Sequence, residues 1–294
     1  MVATRRGTTL VELLATVPLL ALLALACALL VLNGQRVSRS VDGRTARTRE
    51  MRHSAAIIAT LLRDTRSRDL HAWNDTLIEF DMTSGFAFAC GNSQSAIYLL
   101  TAPDSDPLRP TWSSLPDVGD DLHVAVAAAT PAEPPKSRTT TITGIGASST
   151  ACANSTLRKQ LGGNTIRLSI APPLTDIVAG TPVRITRRSR ISLYKSSDND
   201  WYLGTRSLTP SGWEAIQPAS GPFASASDRG LRFEVIARNG TVLTAKSTAT
   251  QVDTNNATAP VAIRLLLRAA AKWKDTNGRT ESDSLLTTIT VRNK

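Results

Sequence analysis

The residues best placed to do chemistry stand at the start of the chain: Arg5-Arg6-Gly7-Thr8-Thr9-Leu10-Val11-Glu12, followed by twenty uncharged residues, Leu13 to Leu32. A carboxylate at the edge of an apolar segment costs up to about 2.5–3.5 kcal/mol unless a cation pairs with it. Cleavage after Gly7 supplies one: it removes Met1–Gly7 and leaves the α-amine of Thr8 as a new cation. That amine and Glu12 lie on one rigid helix, so each needs its mate on another chain. A buried charge paired across chains specifies register in an assembly.

Other chemistry-bearing residues form no constellation. His53, His71 and His123 lie far apart in sequence, and none has zinc-type spacing with Cys or Glu. Asp198-Asn199-Asp200 offers oxygens to Ca²⁺ but lacks the length and downstream glutamate of an EF-hand loop, so it reads as a hairpin turn. Asp104, Asp106, Asp117, Asp120 and Asp121 read as a solvated acidic loop, and Leu161-Gly-Gly-Asn164 as a turn. No catalytic group, metal or cofactor is therefore expected. Arg36, Arg39, Arg44, Arg47, Arg49 and Arg52 form a basic run. It suits nucleic-acid phosphates, or lipid headgroups and acidic residues where a helix leaves a membrane. Aromatic residues for base stacking are not interleaved, so nucleic acid is the weaker partner.

The elements that position these residues follow from the hydrophobic pattern. Twenty residues at about 1.5 Å each span roughly 30 Å, the thickness of a bilayer core. The stretch is too long for a secretory signal, and no Ala-x-Ala-like site follows it. Ala24-Leu25-Ala26-Cys27 lacks the large apolar residue of a lipoprotein signal, and beyond Thr4-Arg5-Arg6 little of a twin-arginine pattern is present. A plain uncleaved anchor accounts for the span but not for Gly7 and Glu12. Pro18 cannot donate to the carbonyl of Leu14, which predicts a kink or local melting. Beyond the weak point Asn33-Gly34 the helix is expected to continue to about Arg68. Its face Met51, Ala55, Ile58, Leu62 should dock onto a sheet. Most positive charge follows the span, against the usual positive-inside bias.

From Asp69 the pattern changes to strands: Asp75–Asp81, Ala96–Leu100, Thr165–Ile170, Pro182–Tyr194, a return strand from Trp201, the alternating run Leu231-Phe233-Val235, a turn at Asn239-Gly240 into Thr241–Ala245, Val261–Leu267 and Leu285–Val291. Residues 102–160 read as irregular, most of all Pro131–Pro135. The fold class is α+β: a long N-terminal helix, 8–68 with the membrane span at 13–32, packed against a β-rich domain over 69–294. Apolar content of 41% suffices for a core. Cys27 lies in the apolar helix; Cys90 and Cys152 are either a disulfide of an oxidising compartment or two free thiols. The net charge of +10 becomes +8 without Arg5 and Arg6, a balance that favours acidic partners.

Gly7-Thr8-Thr9-Leu10-Val11-Glu12-Leu13-Leu14 resembles the prepilin leader of type IV pilins and type II secretion pseudopilins: a basic leader, a glycine before the cut, an apolar helix, and glutamate at the fifth mature position. Thr8 stands where that family has phenylalanine. The strands Ile191–Tyr194, Trp201–Leu203, Val261–Arg268 and Thr287–Asn293 resemble the large PilW-type minor pilins, with the J-type pseudopilins as close competitor. The resemblance implies cleavage between residues 1–7 and Thr8 by a prepilin peptidase, N-methylation of Thr8, and Glu12 as the assembly residue. It also implies other pilin or pseudopilin subunits as partners, and a single-pass inner-membrane protein whose C-terminal domain lies in the periplasm before entry into a filament.

Overall fold

The computed structural model describes residues 10–93, 95–101, 112–126, 136–148, 152, 164–175, 177–243, 245, 257–270 and 283–292. The chain divides into two units, residues 1–49 and 50–294.

Helix α1 covers Leu10–Leu62 and runs through Pro18 and Gly34 without a break. The local melting expected at Pro18 does not occur. Proline removes one donor from the ladder, while the bonds above and below it persist. The helix also stops six residues before Arg68. Thr65 N–H turns back to the carbonyl of Leu62 at 3.1 Å, and Arg66 N–H is taken by the Asp69 carboxylate at 3.0 Å. Arg66 then pairs in parallel with Arg292, which draws the chain out of the helix and into sheet contact.

The second unit begins at Glu50, not at residue 69, because the last turns of α1 belong to its core. Its strands are β1 (Leu70–Asn74), β2 (Leu77–Ser93), β3 (Ala96–Thr101), β4 (Asp121–Val126), β5 (Lys136–Ser148), β6 (Asn164–Ala171), β7 (Pro182–Lys195), β8 (Trp201–Thr209), β9 (Gly212–Trp213), β10 (Gln217–Phe223), β11 (Leu231–Ala237), β12 (Val242–Leu243), β13 (Pro260–Arg268) and β14 (Ser284–Thr290). Two of them, β4 and β5, fall in the stretch expected to be irregular. The segment Asp75–Asp81 holds a hairpin turn, in which Asn74 Oδ1 accepts from Thr76 N–H at 2.9 Å, and only then the start of β2. Pro131–Pro135 and Leu161–Gly163 lie outside the described residues.

The strand order β2-β3-β6-β5-β4-β7 returns to its start, because β7 also pairs with β2. All these pairings are antiparallel, so six strands close into a barrel. Its interior is filled by Ala87, Ala89, Ile97, Leu99, Leu122, Val124, Ile142, Leu168, Ile170, Val183 and Ile185, as expected for a barrel too narrow for a channel. Strands β2 and β7, 17 and 14 residues long, run on past the barrel. There β1, β8 and β10 extend them as an open sheet. A second core forms where the inner face of this sheet (Ile78, Phe80, Ile191, Leu203), the face Met51, Ala55, Ile58, Leu62 of α1, and the small sheet β12-β11-β13-β14 (Phe233, Val235, Ile263, Leu265, Leu267) meet.

Strand β7 serves both cores because its side chains alternate. Val183 and Ile185 enter the barrel, and Ile191 and Leu193 enter the second core. Arg187 shares their face between them and meets buried Asp120 through two hydrogen bonds, Nε–Oδ1 at 2.7 Å and Nη2–Oδ2 at 2.9 Å. Asp120 holds Arg187 above the ordinary guanidinium value, against the opposing effect of burial. Asp120 is thus no solvated loop residue but part of a charged partition between two apolar interiors.

Candidate functional site: an apolar helix and a charged seam

The first candidate is the N-terminal helix. Gly7 and Thr8 lie outside the described residues, and for Glu12 and Arg36 only the backbone within α1 is described. From Thr16 onward the helix is apolar and long enough to cross a membrane. Leu14, Val17, Leu19, Leu20, Leu22, Leu23, Leu25, Leu29, Leu30, Val31 and Leu32 are all exposed. A surface apolar on every side of a helix is satisfied by lipid or by other helices packed around it. Farther along, Arg39 and Arg44 are exposed and Arg47 is half-buried, on the stretch of α1 just after the apolar run. Ser38 Oγ reaches Asp42 one turn on at 3.5 Å, the length limit of such a bond.

Cys90 and Cys152 are joined as a disulfide, so two free thiols are excluded. The bridge ties the C-terminal part of β2 to the segment that precedes β6. Cys27 lies exposed on the apolar helix. Asp198 takes Tyr202 Oη–H at 2.8 Å and Asp200 N–H at 3.0 Å, and these bonds hold its carboxyl below the ordinary carboxylate range. Its oxygens are thus spent on the hairpin between β7 and β8.

The second candidate is a seam of charge on the outer face of β2, β7 and β4, which sequence spacing did not bring together. The register sets Glu79 opposite Arg190, Asp81 opposite Arg188, and His123 opposite Arg184. Residues alternating along each strand share this face, which is why one register choice assembles the whole row. Arg184, Asp69, Glu79 and Asp81 are all buried. Arg184 donates from Nη2 to Asp69 Oδ2 at 2.8 Å and from Nε to Thr83 Oγ1 at 2.9 Å. His71 Nε2 sits 2.7 Å from Asp81 Oδ1. Arg188 Nη2 donates to the same nitrogen at 3.3 Å. Arg190 Nη2 pairs with Glu79.

His123 is wedged between two hydroxyls, Thr186 Oγ1 at 3.0 Å from Nε2 and Thr139 Oγ1 at 3.1 Å from Nδ1. Burial, aided by the Arg184 charge, lowers its pKa to about 4, so the ring is neutral near pH 7. Burial likewise raises the Asp121 carboxyl, against the Thr141 hydroxyl that stabilises its charge. His71 and His123 are therefore not isolated, whereas His53 stands exposed on α1 away from the seam. Oxygens of Asp69 and Asp81 and a nitrogen of His123 come within 4.8 Å of one another. Their charge is already balanced by Arg184 and Arg188, and the oxygen of Asp69 facing Arg184 also accepts Arg66 N–H. The seam acts as an ion-pair network that fastens the connection after α1 to the sheet. The signal that could have found it is the alternation Arg184-x-Thr186-x-Arg188-x-Arg190 set against Glu79-x-Asp81.

The chain matches no protein-family model, no curated protein and no solved structure.

Proposed function

We propose that this protein is a structural subunit of a pilin-type filament, cleaved after Gly7 and retained by its apolar helix until it joins the assembly. The observation that carries the reading is the motif Gly7-Thr8 with Glu12 directly before an uninterrupted apolar run, Leu13–Leu32, whose described large apolar side chains are exposed on a continuous helix. In this reading Glu12 neutralises the N-terminal amine of a neighbouring subunit, and apolar residues such as Leu22 and Leu29 exchange lipid for neighbouring helices. The basic stretch Arg36–Arg52 faces headgroups or acidic residues at the point where the helix leaves the membrane. The β-rich unit then lies outside the cytoplasm, where its disulfide is stable. Partners are homologous subunits and a prepilin peptidase; no reaction is assigned to the protein itself.

A minor pilin of a type IV pilus is the first assignment and a type II secretion pseudopilin the second; both use the same helix. Supplying the gene to hosts lacking one or the other minor subunit separates them, by return of surface pili or of secretion. The role of Glu12 is tested by Glu12→Ala in a filament assembly assay. Processing is expected to remain normal while incorporation falls at least tenfold. Normal incorporation of the variant would remove Glu12 from the account.

A further inference from the structure

We propose that Arg206, Arg190 and Trp213 form a receptor for a carboxylate, presented by an acidic side chain of a partner polypeptide. The β7–β8 register sets Arg190 directly opposite Arg206. Like charges in that position repel. Trp213 reaches the pair because the short strand β9 folds back on β8, pairing Trp213 with Leu208. Its ring lies 4.2 Å from the guanidinium carbon of Arg190 and 5.3 Å from that of Arg206. The indole attracts both cations but cannot neutralise either.

Glu79, on the neighbouring strand β2, pairs with Arg190. Arg206 has no such partner: among the described residues it makes no hydrogen bond and no ion pair, and its Nε is buried without an acceptor. Glu214, next to Trp213 in sequence, acts on Arg187 instead. Burial and the nearby Arg190 hold Arg206 below the ordinary guanidinium value, against a smaller opposing pull from Glu79, which is already paired with Arg190. A half-buried guanidinium without a carboxylate of its own is a costly arrangement for a fold to keep.

The charge count selects the ligand. Two guanidinium groups and one carboxylate leave a single positive charge, which a carboxylate cancels. A phosphate monoester, at about −1.5 to −2, overshoots it. The planar fork of arginine also matches a carboxylate. A polypeptide source fits the net charge of +10, which draws acidic partners. The site lies on the β-rich unit, and its failure would leave the proposed cleavage after Gly7 untouched.

The test uses the full-length chain in detergent micelles and a fluorescein-labelled hexaglutamate peptide, followed by anisotropy at low salt. Arg206→Met is expected to weaken binding at least tenfold, with partial recovery in Arg206→Lys. Arg138→Met, which removes one exposed charge from β5, is expected to leave binding within twofold. Without peptide, the thermal midpoint of Arg206→Met should equal or exceed that of the parent, since an unpaired charge has gone. Equal losses in Arg206→Met and Arg138→Met would overturn the receptor, as would unchanged binding in Arg206→Met. A lowered midpoint would make Arg206 a structural group. Inorganic phosphate that displaces the peptide at lower concentration than acetate would overturn the choice of carboxylate.

Discussion

Two stretches of the same helix behave in opposite ways. Thr16–Leu32 is apolar on every side and exposed throughout, whereas Met51–Leu62 buries one apolar stripe and turns charged residues such as Arg52 outward. The difference lies in periodicity. A stripe at helical spacing defines one face and finds its partner in the sheets of its own chain; an all-round apolar surface is satisfied only by lipid or other helices. One continuous element thus carries an all-round apolar surface, apolar and long enough to cross a membrane, and a one-sided stripe that packs into the core of the second unit.

Mutations can break this comparison, because damage to the second unit should leave the first unmoved. The largest effect is expected from Cys90→Ser. The bridge spans 62 residues of sequence, and losing it costs about 4 kcal/mol on the chain-entropy view. Denaturant unfolding followed by tryptophan fluorescence should show this loss, while helicity of the apolar stretch in detergent stays constant. Next comes Ile58→Ala, at about 3 kcal/mol, because Ile58 is fully buried between the two sheets. Leu22→Ala, on the exposed stretch, should change the same unfolding curve by less than about 0.5 kcal/mol. Equal effects at positions 58 and 22 would dissolve the distinction.

The charged seam gives the next test. Asp69→Asn leaves Arg184 buried opposite a neutral amide and should cost about 3 kcal/mol. Adding Arg184→Met should cost less than the sum of the two single changes. Strict additivity in a double-mutant cycle would show that the two residues do not act as a pair.

A smaller effect than loss of the seam pair is a pH dependence. His123 has a folded-state pKa of about 4 against an ordinary value of 6.5, so between these pH values the unfolded chain binds the extra proton. The stability owed to neutral His123 is complete above about pH 6.5 and is lost as pH falls towards 4. The size is about 2 kcal/mol after allowing for solvent screening of a partly exposed ring. Asp121, raised by burial, works in the opposite sense near the acid end of that window. Unfolding midpoints measured between pH 7 and 4.5 should therefore fall less steeply in His123→Asn than in the parent chain. Parallel pH profiles would remove His123 as the cause.

Sequence reading caught the features that rest on strong periodicity. The docking face Met51, Ala55, Ile58, Leu62 and the alternating strands near 165, 182, 231 and 261 appear where hydrophobic spacing put them. It missed β5, whose run Arg138-Thr-Thr-Thr-Ile-Thr-Gly is dominated by threonine rather than large apolar residues. On a barrel wall a β-branched threonine serves as well as valine on the outer side. Closure of the barrel was out of reach because it depends on β2 pairing with both β3 and β7, contacts between residues as far apart as Leu77 and Ser192. The seam was hidden for the same reason, since Asp69, His123 and Arg184 share no local pattern. The N-terminal signal was the reverse case: the motif Gly7–Glu12 is fully local and needed no fold to be seen.

The central claim concerns that motif, and one measurement addresses it directly. The full chain is co-expressed with a prepilin peptidase, and the intact mass and N-terminal sequence of the membrane-extracted protein are determined. The account predicts a chain that begins at Thr8, with the mass of Met1–Gly7 lost and, where methylation follows, about 14 Da added at the new amine. A chain that still begins at Met1, or one cut after the apolar run, would contradict it.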